Sequence, residues 1–194
     1  MAIMVFAEPP ASAAWEHRDA RTGFEVLRTA RRDGGWTLRG TTTAVENGTP
    51  WVVEYAIEVD GDWHTRSARV RHPLGGRPLA LDKAPDGRWL VDDRHDPRLD
   101  GCVDVDLESS AMTNALPVHR LRLDVDETAD APAVYVRAAD LTVDRLEQSY
   151  ARLPDTTGRQ CYGYAAPAFD FTARLVYDES GFVLDYPGLA VRRA

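Results

Sequence analysis

The chain is short of the residues from which several kinds of function are built. Its two cysteines, Cys102 and Cys161, in 194 residues are too few for a disulfide framework, and no Cys-x-x-Cys or Cys/His spacing supplies a zinc site. A reducing, cytoplasmic setting is therefore expected. Basic residues are outnumbered, with 23 Lys and Arg against 31 Asp and Glu and a net charge of −8. A nucleic-acid partner is not expected, because such proteins displace counterions with clustered Lys and Arg. Arg28, Arg31 and Arg32 form the one basic cluster near the start, enough for transient contact with an anionic membrane but not for stable docking.

No apolar run approaches the length of a bilayer-spanning segment. The stretch Ala2 to Ala7 is apolar but too short for a signal peptide, has no basic residue before it and runs into Pro9 and Pro10. Ala11-Ser12-Ala13 resembles a cleavage site only superficially, so residues 1–14 read as a loose N-terminal segment of one domain spanning 1–194. Alternating helical segments are also missing, which excludes an α/β arrangement.

What the chain does have is the composition of a folded protein, 44% hydrophobic and 28% charged, and a strand-like period. Trp51, Val53, Tyr55, Ile57 and Val59 alternate with Val52, Glu54, Ala56 and Glu58, giving one largely apolar face. Turn sequences recur: Asp33-Gly34-Gly35, Glu46-Asn47-Gly48, Asp60-Gly61-Asp62 and Pro85-Asp86-Gly87, each followed by a tryptophan that is expected to open a strand. Further strands are expected near Gly101 to Leu107, Leu116 to Val125, Ala133 to Arg137, Tyr162 to Ala166, Phe169 to Asp178 and Phe182 to Tyr186, the last two joined at Glu179-Ser180-Gly181. Asp140 to Tyr150 fits a short helix or a strand equally well. The expected fold is all-β, a long antiparallel meander closed into a roll or barrel-like structure, since a flat sheet of this length would expose its edges.

Candidate chemistry centres on Gly101-Cys102-Val103-Asp104-Val105-Asp106-Leu107. On a strand, Asp104 and Asp106 share a face about 7 Å apart. Such a pair can hold a cation, work as acid and base, accept hydrogen bonds from sugar hydroxyls, or simply be solvated or paired with arginine. His119 has no evident nucleophile or orienting carboxylate and reads as structural. Ser109 and Ser110 lack a nucleophile-elbow context. Cys102 beside acidic residues is expected to have a raised thiol pKa, hence little reactivity. No catalytic residue, metal or cofactor is expected. The aromatics Tyr150, Tyr162, Tyr164, Phe169, Phe171, Tyr177 and Tyr186 fill a core or line a cavity.

Several of these stretches together resemble a known family. Gly-Cys-x-Asp-Val-Asp-Leu, then Thr113-Asn114-x-Leu-Pro and Arg120-Leu121, then Gln148-x-Tyr150, Tyr162-x-Tyr164 and the closing Gly181-Phe182-Val183-x-Asp185-Tyr186-Pro187-Gly188-Leu189 are similar to the putative glycolipid-binding family of bacterial proteins. Asp62-Trp63-x-Thr65-Arg66 also fits. The resemblance implies a spiral β-roll, reminiscent of carriers that move lipoproteins and lipids between bacterial membranes. It also implies an apolar or glycolipid-like small-molecule ligand, with acyl chains in an apolar interior and a polar mouth. The implied contacts are Asp104, Asp106, Thr113, Asn114, His119, Arg120, Trp63, Arg66, Gln148, Tyr150, Tyr162 and Tyr164. The chain departs from the family pattern at Ala115, where Thr is usual, and His119, where Arg is usual. The alternatives are a hydrolase of a glycosidic or ester bond acting through Asp104 and Asp106, and a scaffold with no cavity. Oligomeric state is not legible.

Overall fold

A computed structural model describes residues 6–194; most of the apolar run Ala2 to Ala7 lies outside them. The strands are β1 (Ser12–His17), β2 (Thr22–Arg32), β3 (Gly35–Glu46), β4 (Thr49–Asp60), β5 (Thr65–Arg71), β6 (Leu79–Lys83), β7 (Trp89–Val91), β8 (Arg94–His95) and β9 (Asp104–Leu107). A short helix α1 (Ala115–Leu121) follows, then β10 (Thr128–Asp130), β11 (Ala133–Val136), β12 (Val143–Leu146), β13 (Ser149–Thr156), β14 (Arg159–Ala166), β15 (Phe171–Tyr177), β16 (Val183–Tyr186) and β17 (Ala190–Arg192). The expected all-β meander with one short helix is what the chain forms.

Fourteen strands make one antiparallel sheet in the order β10-β13-β14-β15-β16-β17-β1-β2-β3-β4-β5-β6-β7-β8. Strand β1, which begins inside the stretch expected to be loose, joins the two runs of hairpins by pairing with both β17 and β2. The end strands β8 and β10 are not hydrogen-bonded to each other among the described residues. The remaining strands form a second sheet, β12-β11-β9, in which β9 and β11 run parallel.

Local chemistry accounts for the regular part. Asn47 and Gly48 both take positive φ, 50° and 77°, the geometry of a two-residue turn whose twist matches the flanking strands. Thr157 and Gly158 do the same between β13 and β14, a turn not singled out from the sequence. Trp36, Trp51 and Trp89 lie in the first residues of their strands, but Trp63 sits in the turn before β5 with φ 66°.

Two stretches differ from expectation. Leu116 to Val125 is not a strand: residues 115–121 are helical. Every side of that helix is packed, with Ala115, Leu116, Pro117, Val118 and His119 all buried, so the apolar spacing carries no strand period to follow. Pro117 falls in the first turn, where the backbone N–H has no helical partner to lose. Asp140 to Tyr150 resolves as strand, because Val143–Leu146 pairs with β11 and Ser149 opens β13.

The segment from Cys102 to Leu121 lies against one face of the large sheet and is gripped from strands far apart in it. Trp89 donates to the Cys102 carbonyl at 2.9 Å, Tyr177 to the Asn114 carbonyl at 3.2 Å, and Tyr150 to Asn114 Oδ1 at 2.9 Å. Glu25 on β2 is fully buried and accepts from Tyr55 at 2.6 Å, from the Ala111 N–H at 2.7 Å and from Ser110 Oγ. The core around this segment is filled by Trp15, Trp89, Tyr150, Tyr162, Tyr177 and Phe182.

Candidate functional site

Two clefts divide between them six of the twelve candidate contact residues. The first, about 240 Å3, opens between the β1–β2 turn, β9 with the loop that follows it, and the strands β14 to β17. Asp106 lies at its floor, half-buried, with Oδ1 accepting from Thr113 Oγ1 at 2.8 Å. Burial pushes its carboxyl up to about 6, and the charges of Asp104 and Glu108 push the same way against the Thr113 hydrogen bond. Asn114 stands beside it, turned by the Tyr150 hydroxyl.

One wall of this cleft is aromatic. Tyr164, Phe171 and Tyr186 pack with ring centroids 6.0–6.1 Å apart, and Phe169 tilts against Tyr135 at 5.4 Å. The hydroxyls of Tyr164 and Tyr186 are held protonated, their pKa values raised by burial. Both side chains stay neutral at any physiological pH, and their hydroxyls are hydrogen-bonded to each other.

The opposite wall comes from the β1–β2 connection. Arg21 is 8% exposed and donates Nη2 to the Glu108 carbonyl at 2.7 Å, yet its Nε and Nη1 have no partner. His17 Nε2 is likewise buried without one. Burial and the neighbouring Arg21 cation lower His17 to about 4, so its ring is neutral. Buried polar atoms are normally paired; these three lie just behind the cleft lining, with the Arg21 guanidinium over the Trp51 ring at 5.3 Å. Asp106, Glu46 and Glu108 face a single cation in this lining. That balance disfavours phosphate and suits hydroxyl groups, which both donate and accept.

The second cleft, about 360 Å3, is lined by residues 6–9, Trp63, His119, Arg152 and Tyr162, among others. His119 stacks on Trp63 with centroids 3.6 Å apart and planes 10° off parallel, and Phe6 covers its other side at 4.7 Å. Its Nε2 meets the Ser180 carbonyl at 2.9 Å, and burial lowers its pKa to about 3. It is a neutral core ring.

The two aspartates part company. Asp104 is completely buried and bound by Arg120, Nη2 to Oδ2 at 2.6 Å and Nε to Oδ1 at 3.2 Å. Both carboxylate oxygens are engaged by one guanidinium, and only Asp106 faces a cleft. The structure thus brings Asp106, Asn114 and Tyr164 together, with Thr113 and Tyr150 directly behind them. It places Trp63, His119 and Tyr162 at the second cleft, and Asp104 and Arg120 in neither. Arg66 is on the surface against Asp60 at 2.9 Å, and Gln148 is buried away from both clefts.

His17, Arg21, Glu108 and Tyr135 were not singled out from the sequence. Arg21 and Glu108 are 87 residues apart, and nothing local signals their meeting. Cys102 is buried with its thiol pushed up to about 11 by desolvation. No group of three His, Cys, Asp or Glu side chains stands ready to hold a metal ion among the described residues. No helix there is long and apolar enough to cross a membrane.

No curated protein matches the chain. The structure is similar to the crystal structure of a DUF1089 family protein from Pseudomonas aeruginosa, with a TM-score of 0.73 and 31% sequence identity over 97% of this chain and 95% of that one. A family model described as "Putative glycolipid-binding" matches residues 12–192. Both comparisons span nearly the whole chain, strands β1 to β17 included, and the chain belongs to the family so described.

Proposed function

We infer that the 240 Å3 cleft binds the glycosyl headgroup of a glycolipid. The observation that carries this reading is an aromatic wall, Tyr164, Phe171 and Tyr186, in the same cleft as Asp106, Asn114 and Arg21. Sugars need both: hydroxyls that exchange hydrogen bonds with carboxylate, amide and guanidinium, and C–H faces that pack on aromatic rings. Size points the same way. The cleft falls below the ~300–1,000 Å3 typical of pockets for larger ligands, a size that suits one sugar-sized group. Large aromatic side chains in the core around the segment from Cys102 to Leu121 support a placement of the acyl chains elsewhere. We place the chains outside the cleft, across its rim at Phe169.

Calorimetric titration with short-chain alkyl glycosides tests the reading. A hydroxyl bonded to a charged partner contributes about 1.5–3 kcal/mol, so Asp106→Ala is expected to weaken binding by about 10- to 100-fold. Phe171→Ala is expected to weaken it as well. Binding of a plain fatty acid as strong as that of the glycosides, unaffected by Asp106→Ala, refutes the assignment.

A further inference from the structure

The outer face of β2, β3 and β4 carries large apolar side chains that a sheet facing only water has no reason to expose. Phe24 and Val26 on β2 are each 51% exposed and Val45 on β3 is 46% exposed. Strand register gathers them into one patch. Phe24 stands opposite Thr43, and Thr43 opposite Val52; Thr22 stands opposite Val45, and Val45 opposite Pro50. The next rungs of the same face are basic. Arg28 stands directly opposite Arg39, Arg39 opposite Ala56, and Ala56 opposite Arg69.

Like charges directly across a strand pair repel. Arg69 and Arg71 are paired, with Asp82 at 2.8 Å and Glu54 at 2.5 Å, but Arg28 and Arg39 have no ion pair or hydrogen bond through their side chains among the described residues. A repulsive pair left uncompensated on an acidic protein is complementary to an external anion. A plane of anions beside an apolar layer is what the surface of a bilayer offers to an apolar patch edged by arginines.

The patch also adjoins the proposed sugar cleft. Arg21 and Glu46, which line that cleft, are the chain neighbours of Thr22 and Val45 at the end of the patch, and Phe169, 46% exposed, lies on the cleft's rim. We propose that the outer face of β2–β4 is a membrane-docking surface, on which Phe24, Val26 and Val45 enter the interface of an anionic bilayer while Arg28 and Arg39 contact its headgroups. The purpose of docking rests on the glycosyl reading of the cleft; the docking does not. The net charge of −8 opposes it only weakly, because charges beyond about 10 Å are screened at ~0.1 M salt.

Flotation with vesicles that contain no glycolipid separates the two ideas. The full chain is expected to float with vesicles of phosphatidylcholine and phosphatidylglycerol at low salt, to be released by raised salt, and to stay behind with phosphatidylcholine alone. At about fivefold per arginine near an anionic surface, Arg28→Gln with Arg39→Gln is expected to weaken partitioning by about 30-fold. Phe24→Ser is expected to weaken it too, with unchanged circular dichroism. Failure to float on the anionic vesicles overturns the proposal. So does equal flotation of the double variant, or a concentration-dependent dimer in light scattering that Phe24→Ser abolishes, which assigns the face to a second copy of the chain.

Discussion

Replacing Arg120 with methionine removes the sole guanidinium bound to a completely buried carboxylate, and its cost follows from the geometry. With charge centres roughly 4 Å apart at an effective dielectric near 20, the attraction is about 4 kcal/mol. That gain offsets only part of a desolvation penalty of several kcal/mol per ion, since burial holds the Asp104 carboxyl above its usual range even with Arg120 bound. Arg120→Met keeps the penalty on Asp104 and removes the attraction, so a loss of about 3–5 kcal/mol is expected. The Lys83 ammonium lies near enough to favour the Asp104 charge, although it is itself committed to the Cys102 carbonyl at 2.9 Å. The lower end of the range is therefore the expectation. Urea unfolding at neutral pH measures it.

Two further readouts discriminate this mechanism from lost packing. In Arg120→Met the folded-state pKa of Asp104 lies above its unfolded value, so the variant holds stability below that unfolded value and loses it as pH rises through the folded one. The deficit is then smaller near pH 4 than near pH 7. Replacing both partners, Asp104→Leu with Arg120→Met, removes the stranded charge and is expected to recover most of the loss. A loss under 1 kcal/mol in the single variant, a deficit independent of pH, or a double variant that merely adds the two single effects refutes the reasoning.

Asp106, pushed up to about 6 by burial, accepts a ligand hydroxyl best when ionised. Glycoside affinity is expected to rise as pH passes upward through 6 and to level off above 7, and calorimetry across that range should show Asp106→Asn without the rise. Gly181 has φ 75°, and a Cβ there would sit 2.3 Å from His119 Nε2. Gly181→Ala is expected to destabilise the fold by at least ~2 kcal/mol, since it combines a left-handed backbone with a clash against a ring stacked on Trp63; thermal unfolding reads the loss. Cys102, buried and with its thiol pushed up to about 11, is expected to resist a thiol reagent at neutral pH until denaturant is added. Prompt labelling at Cys102 in the native protein contradicts its placement.

The meander was legible because its signals are local. The alternation from Trp51 to Val59 fixes which side of β4 is buried, and Asn47-Gly48 sets both the hairpin and its register. Asp106 and Asn114 of the cleft, with Thr113 behind them, were legible as a cluster because they lie within one short segment. Their roles were not. Asp104 and Asp106 look alike on an isolated strand, and only the packing of α1 against β9 gives one of them an arginine and leaves the other facing a cleft.

Tertiary contact decided the rest for the same reason. Segment 115–121 is enclosed along residues 115–119, a condition that erases the period by which helix and strand are told apart. The parallel pairing of β9 with β11 joins residues about 30 apart along the chain, and Arg21 reaches Glu108 across 87. Composition and turn chemistry determined that the chain would be a meander of hairpins. Which polar side chains come to line a cleft was decided by which distant strands the sheet brings against the segment from Cys102 to Leu121.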